Sequence, residues 1–436
     1  MPDRKPRLSR LERWLLAAIA LQVAGGAFWL TTYRGLFDPR GMPIGNDFSA
    51  FWFGARFALQ RPAVEAYDLV LMTQFQHDAW PELVGMYAWV YPPAFLLLVL
   101  GFGLMPYVPA FLVWTVTTLA AWLYGLWRNV RDRTSIWLVA AFPGLWLGLG
   151  QGQNQYLTAA LGALGLGLLR KHPVWAGVSI GLLCIKPHLA LLFPVALVAV
   201  RAWRTIAAAA VTAVTVTLVP AAILGWDTLL AWRDAMAWVA TAIQTRQLPV
   251  WMFPAPYPWL LSLGVPVGLA WAVQGVVTVA AAVVVYRIWR GVGPALRDAK
   301  NLRPFAPQGA GSREDRVPEE GRREAATCLE GPTPTLAYSA LILATFLATP
   351  YYAMYDLTWL ALPLCWLVAE GVATGFRRSE KPLLVCAFLL PYASVLALVV
   401  NVQLAPFVLG GLLWHVWKRS VSARSDAPEP RTLAAL

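Results

Sequence analysis

The chain has 436 residues, 58% of them hydrophobic and 13% charged, and a net charge of +12. Soluble domains carry about 25% charged residues, so this composition excludes a soluble enzyme, a disordered chain and a disulfide-stapled scaffold. The basic residues cluster beside apolar runs, as on the cytoplasmic side of a membrane, and not as on a nucleic-acid surface.

The N-terminal Arg4, Lys5, Arg7, Arg10 and Arg13 place that end in the cytoplasm, ahead of an apolar run at 14–33 read as an uncleaved first helix. Next comes a long loop, about 34–91, with four Arg against six acids, which lacks the positive bias and should be extracytoplasmic. Apolar runs follow at 92–105, 107–127, 135–150, 154–170, 173–186, 189–203 and 206–225. A second outer loop, about 226–258, is rich in Trp and Pro and precedes the run at 259–289. Residues 291–334 are rich in Pro, Gly and balanced charge and read as a disordered cytoplasmic linker. Runs at 335–350, 356–374, 382–400 and 403–417 then lead to a cytoplasmic tail at 419–436.

The expected fold is therefore all-α and polytopic, with about 12 transmembrane helices. Its parts are an N-terminal membrane module (1–290), the linker, C-terminal helices (335–418) and the tail. Several runs hold only 13–16 residues, short for full crossings, and broken helices are tolerated where they line a cavity. Cys184, Cys328, Cys365 and Cys386 lack metal-ligand spacing, and with four His no imidazole metal centre is expected, although a carboxylate-bound divalent ion stays open.

Five junctions carry chemistry. In the first loop, Asp47 opens an aromatic segment (48–60) in which Phe48, Phe51, Trp52, Ala55 and Ala58 share a helical face, suited to lying in the membrane interface, with Arg56 on another. Asp47 reads either as the N-cap of that helix or as a carboxylate placed to take a proton from a hydroxyl. Tyr91 enters a helix through Pro92-Pro93, which is ordinary helix-start structure. Gln151, Gln153 and Asn154 interrupt two apolar runs, either as a polar turn in water or as a contact for substrate. Lys186 and His188 sit at the turn of a rise-and-return hairpin flanked by basic residues. Ionisable groups at that depth are costly and suit a phosphate, the alternative being snorkelling to the interface. Tyr355 and Asp356 open a late helix, where Asp356 reads as an N-cap or as a third charge facing one outer cleft.

In this order, Asn-Asp-Phe (46–48), Tyr-Asp (67–68), Tyr-Pro-Pro (91–93), Gln151 to Asn154, Lys186-Pro187 and Thr-Pro-Tyr with Tyr-Asp (349–356) resemble the bacterial polyprenyl-phosphate-mannose-dependent alpha-mannosyltransferases of the GT-C superfamily. The resemblance implies a GT-C-like bundle in the bacterial inner membrane, with its site on the extracytoplasmic face and interfacial helices in the first loop. It implies transfer of a sugar, mannose by analogy, from a polyprenyl-phosphate donor to a lipid or glycan acceptor. Asp47 would be the general base, and Lys186 and His188 would hold the phosphate. Arg56, Tyr91, Gln151, Gln153, Asn154, Tyr355 and Asp356 would line the cavity, with no cofactor and no nucleic acid. A transporter or flippase for a lipid-linked or small polar substrate is the alternative.

Overall fold

The computed structural model of the protein describes residues 9–297, 333–394 and 397–425. Most of the expected linker, much of the expected tail, Arg4, Lys5, Arg7 and Cys328 lie outside the described residues. Apart from isolated β-bridges within 34–43, the described chain is helical.

The first helix, α1 (Arg10–Thr31), starts at a capping box in which Ser9 and Glu12 satisfy each other's backbone N–H groups. Glu12 also pairs with Arg133, 2.9 Å away, tying α1 to the start of α6 (Arg133–Ala141). Between them the first loop folds as α2 (Phe48–Ala58), α3 (Leu69–Ala79) and α4 (Pro93–Val99), before α5 (Tyr107–Asn129). The run expected at 135–150 is broken at Phe142-Pro143 into α6 and α7 (Pro143–Gln151). Proline removes a helical donor and biases the preceding residue to extended backbone, which explains the break.

A compact bundle follows: α8 (Gln155–Leu168), α9 (Pro173–Gly181), α10 (Phe193–Ala199) and α11 (Trp203–Leu224). Gly177 and Gly181 allow α9 to touch α11, because a Cβ at either position would lie within 2.5 Å of a backbone oxygen on α11. Small residues four apart are how apolar helices approach closely without a hydrophobic driving force. The second loop contains α12 (Asp227–Gln244), which the sequence reading left as loop, and the short α13 (Pro256–Ser262). Helix α14 (Val267–Arg297) continues past the expected start of the linker. The remaining longer helices among the described residues are α15 (Pro334–Ala348), α16 (Ala361–Thr374), α17 (Glu380–Ala393) and α18 (Ala405–Ser425), with a four-residue turn of helix at Ala397–Val400.

Among the described residues, five helical stretches are long and apolar enough to cross a membrane: Arg10–Thr31, Tyr107–Asn129, Trp203–Leu224, Val267–Gly293 and Met354–Thr374. Five further apolar helices among them hold 10–17 residues, including Gln155–Leu168 and Pro334–Ala348. The chain is a polytopic, all-α membrane protein. Twelve full crossings are not displayed, because the bundle is built largely from short, broken helices.

There are two main cores. One joins α5, α8 to α10 and α14 to α18. The other is aromatic and is built by the first loop on α4 and α5. At its centre is α2, whose Phe48, Phe51, Phe53 and Phe57 are 0% exposed. The expected interfacial helix is thus enclosed by protein. The reason is legible in hindsight: a helix that is apolar nearly all round buries every face, and here only Arg56 and the last turn reach the surface.

Candidate active site

The junctions singled out in the sequence meet at one end of the bundle. Residues 45–48 dock on the α7–α8 junction, where the Asp47 N–H donates to the Gln151 carbonyl (3.1 Å) and to Asn46 Oδ1 (2.9 Å). Gly45 (φ +63°) and Gly152 (φ +67°) make this approach possible. Both lie in the left-handed region that favours glycine, and a Cβ on either would come within 2.6 Å of the Phe111 ring. The clamp closes with the Tyr107 hydroxyl on the Gly45 carbonyl (2.9 Å) and the Trp114 indole on the Gly152 carbonyl (2.9 Å). Backbone positions are therefore fixed on both sides of Asp47 and Gln153.

The N-cap reading of Asp47 is corrected. Its carboxylate makes no capping bond; the helix starts with Asp47 itself in helical backbone, so the side chain points away from the N–H groups it would cap. Instead the Gln153 side chain stands beside it. Burial pushes its pKa up to about 6, against the opposing influence of the Gln153 side chain and the Lys186 charge. A carboxylate freed from backbone duty and tuned upward is a better base than a cap would be.

Around Gln153 a polar chain runs across four elements. Tyr91 Oη donates to Gln153 Oε1 (3.0 Å), and the same oxygen accepts the Asn154 N–H (2.9 Å). Asn154 Oδ1 accepts from Lys186 Nζ (3.3 Å), and Lys186 Nζ donates to Asp356 Oδ1 (2.6 Å). The Tyr355 ring lies under the ammonium, 4.5 Å from Nζ to its centroid. Lys186 is 7% exposed and Asp356 and Asn154 are 0% exposed. An isolated charge so placed would cost several kcal/mol, and the pairing is what makes it tolerable.

Each end of this chain has its own support. Asp356 Oδ2 accepts the Ala353 N–H (3.0 Å), so the residue reaches back across its own turn while its other oxygen holds Lys186. The N-cap reading of Asp356 is corrected: Ala353 holds the cap position and Asp356 lies three residues on, inside the turn. Residues 349–356 leave α15 at Pro350, and the orphan carbonyls of Leu347 and Ala348 are taken up by Gln274 on α14 (3.0 and 3.1 Å). Thr349 Oγ1 donates to the His188 carbonyl (2.9 Å), joining this segment to the Lys186 turn.

Several groups here have no partner. They are Asn154 Nδ2, both amide atoms of Gln155, Gln151 Oε1 and His188 Nε2. Polar atoms left buried and unpaired are uncommon and mark a place for a ligand or ordered water. Gln155 was not among the sequence candidates, although the run 150–155 contained the signal. Arg56 is not brought into the cluster: it lies exposed on the outer side of α2, 5.2 Å from the Trp52 ring centre. Among the described residues no group of three His, Cys, Asp or Glu side chains could hold a metal ion.

Residues 89–302 match the family described as glycosyltransferase family 87 (GT87). The matched stretch contains Tyr91, the Gln151 to Asn154 junction, Lys186 and His188, while Asp47 and Asp356 flank it. No curated protein and no solved structure matches the chain. The match over residues 89–302 makes the chain a membrane glycosyltransferase of family 87, a GT-C family that uses polyprenyl-phosphate sugar donors.

Proposed function

We propose that the protein transfers a sugar, mannose by analogy, to a lipid or glycan acceptor on the extracytoplasmic face, with inversion at the anomeric carbon. The observation that carries this reading is the hydrogen-bonded chain from Tyr91 through Gln153 and Asn154 to Lys186, with Asp47 docked on the same junction through its N–H to the Gln151 carbonyl. It supports a base and a cation acting on one substrate, as single-displacement transfer requires.

In the proposed reaction the acceptor oxygen attacks the anomeric carbon and its proton passes to Asp47. The bond from that carbon to the phosphate oxygen breaks, and polyprenyl phosphate leaves with the electron pair. Lysine has three N–H donors. Asp356 and Asn154 take two, which leaves one for the departing phosphate. Asn154 Nδ2 and His188 Nε2 are further unpartnered groups beside it. Donors fixed before the reaction stabilise the developing charge without reorganisation. Asp356 acts by holding the ammonium in place. The basic flanks of 170–172 and 201–204 support the sidedness, since they put the Lys186 turn on the opposite face. The transporter reading keeps no residue that it alone explains.

The test supplies polyprenyl-phosphate mannose and a mixed acceptor extract to the purified protein in lipid and follows release of polyprenyl phosphate. Release that depends on acceptor and is lost in Asp47→Asn supports the reading. Unchanged release in that variant removes Asp47 as the base.

A further inference from the structure

A second concavity lies beside the polar chain and is used by none of the steps above. It has a volume of about 330 Å³ and is walled by the turn Ala63–Tyr67 with Asp68 and Leu69, by Val90, and by one face of α12 (Ala231, Asp234, Ala235 and Trp238). It therefore forms where the two long loops meet. That size is at the lower end of the range for ligand sites, roughly 300–1,000 Å³, which suits a ring-sized group.

Its chemistry is specific. Trp238 and Tyr67 offer aromatic surface, and Asp68 and Asp234 offer carboxylates, while no Lys or Arg lines it. Each carboxylate has one oxygen engaged: Asp68 Oδ1 accepts the Val70 and Leu71 N–H groups, and Asp234 Oδ1 accepts from Arg233. The other oxygen of each remains for a hydroxyl donor. Aromatic faces against C–H surfaces, with carboxylates accepting O–H bonds, match a neutral pyranose; a phosphate would meet two carboxylates, and the Arg233 guanidinium nearby is already paired with one of them.

The concavity is also coupled to the reacting cluster. The Tyr67 hydroxyl donates to the Tyr91 carbonyl (2.8 Å), and Tyr91 in turn bonds Gln153, which stands beside Asp47. One extended segment, 89–91, separates the two, with Val90 facing the concavity and Tyr91 reaching the cluster. We infer that this concavity is an acceptor subsite for a neutral sugar unit adjoining the one that reacts. The inference rests on the acceptor being a glycan, as proposed above, and makes the protein prefer acceptors of two or more sugar units.

The test uses the full chain in lipid nanodiscs and methyl mono-, di- and trimannosides as probes, with binding followed by saturation-transfer NMR and transfer followed separately with donor present. The trisaccharide should bind more tightly than the monosaccharide. Trp238→Ala should remove that advantage on the order of tenfold, as loss of an aromatic anchor does. Asp234→Asn, an exposed and fold-neutral change, should reduce it a few-fold, and Asp47→Asn should leave it intact. Binding that is equal for all three probes, or indifferent to both Trp238→Ala and Asp234→Asn, overturns the subsite. If the binding pattern holds while Asp47→Asn transfers normally, the subsite stands and the base assignment falls.

Discussion

Two buried ion pairs sit at opposite ends of the Met354–Thr374 helix, roughly 25–30 Å apart by helical rise, and they are finished differently. At one end, Arg419 grips Glu380 through Nε (2.9 Å) and Nη2 (2.6 Å). Further donors reach Thr374 Oγ1 (2.7 Å) and the Gly375 carbonyl (2.8 Å), and Glu380 also accepts the Arg377 N–H (2.9 Å). Four of the five guanidinium N–H groups are thus engaged within the protein, although His415 Nδ1 nearby is buried without a partner. At the other end, Lys186 and Asp356 are just as buried, but Asn154 and His188 beside them keep unpartnered atoms. A pair whose donors are spent mostly inside the protein fixes structure, whereas a pair whose cation keeps a free donor beside other unpartnered groups is arranged for something that arrives. Burial alone does not separate the two; the accounting of hydrogen bonds does.

The comparison breaks most sharply in activity. Asp47→Asn should slow transfer about 10²–10⁴-fold, the usual worth of a general base, with the melting temperature unchanged, because the carboxylate caps nothing. Lys186→Met should lower turnover on the order of 10²–10³-fold, the cost of losing one anion-stabilising donor. It also strands Asp356, so stability should fall by about 3–5 kcal/mol. The double variant Lys186→Met with Asp356→Asn should recover much of that stability and none of the turnover. Arg419→Met should show the opposite profile: a similar loss of stability, read by thermal unfolding, with turnover per folded molecule near wild type. Recovery of activity in the double variant, or loss of turnover in Arg419→Met, would erase the distinction between the two pairs.

A finer contrast lies in pH. The Asp47 carboxyl is held up to about 6 and acts as base only when deprotonated. Transfer should therefore be flat above that value and fall about tenfold per pH unit below it, a limb absent from the residual activity of Asp47→Asn. The smallest effect belongs to Arg56→Ala. That side chain is exposed and stands apart from the cluster, so turnover should change less than about twofold, within the range of ordinary surface substitutions.

Much of the bundle was legible in the sequence because apolar runs and prolines carry the signal directly. The segments read at 107–127 and 206–225 are α5 and α11 to within a few residues. Helix α12 was not seen, since three charges and a Trp-rich context resemble a loop; the spacing of Ala231, Ala235, Trp238 and Ala242 on one face was the available cue. The burial of α2 was misread because periodicity reports an apolar face and not how much protein covers the rest. At the site, sequence reasoning found the junctions but not their pairing. Lys186 and Asp356 are 170 positions apart, and no local pattern shows that they share one hydrogen bond. The cap reading of Asp47 failed for a conformational reason: spacing marks a helix start, but only backbone angles decide whether the side chain turns back upon it.

The central claim is that one cleft joins the Asp47 base to the Lys186 cation. The most direct measurement is the acceptor-dependent release of polyprenyl phosphate by wild type and by Asp47→Asn, prepared side by side in nanodiscs with matched melting temperatures. A loss of at least 100-fold in the variant, within the range for a general base, is the predicted result. Equal release by two equally folded proteins would contradict it.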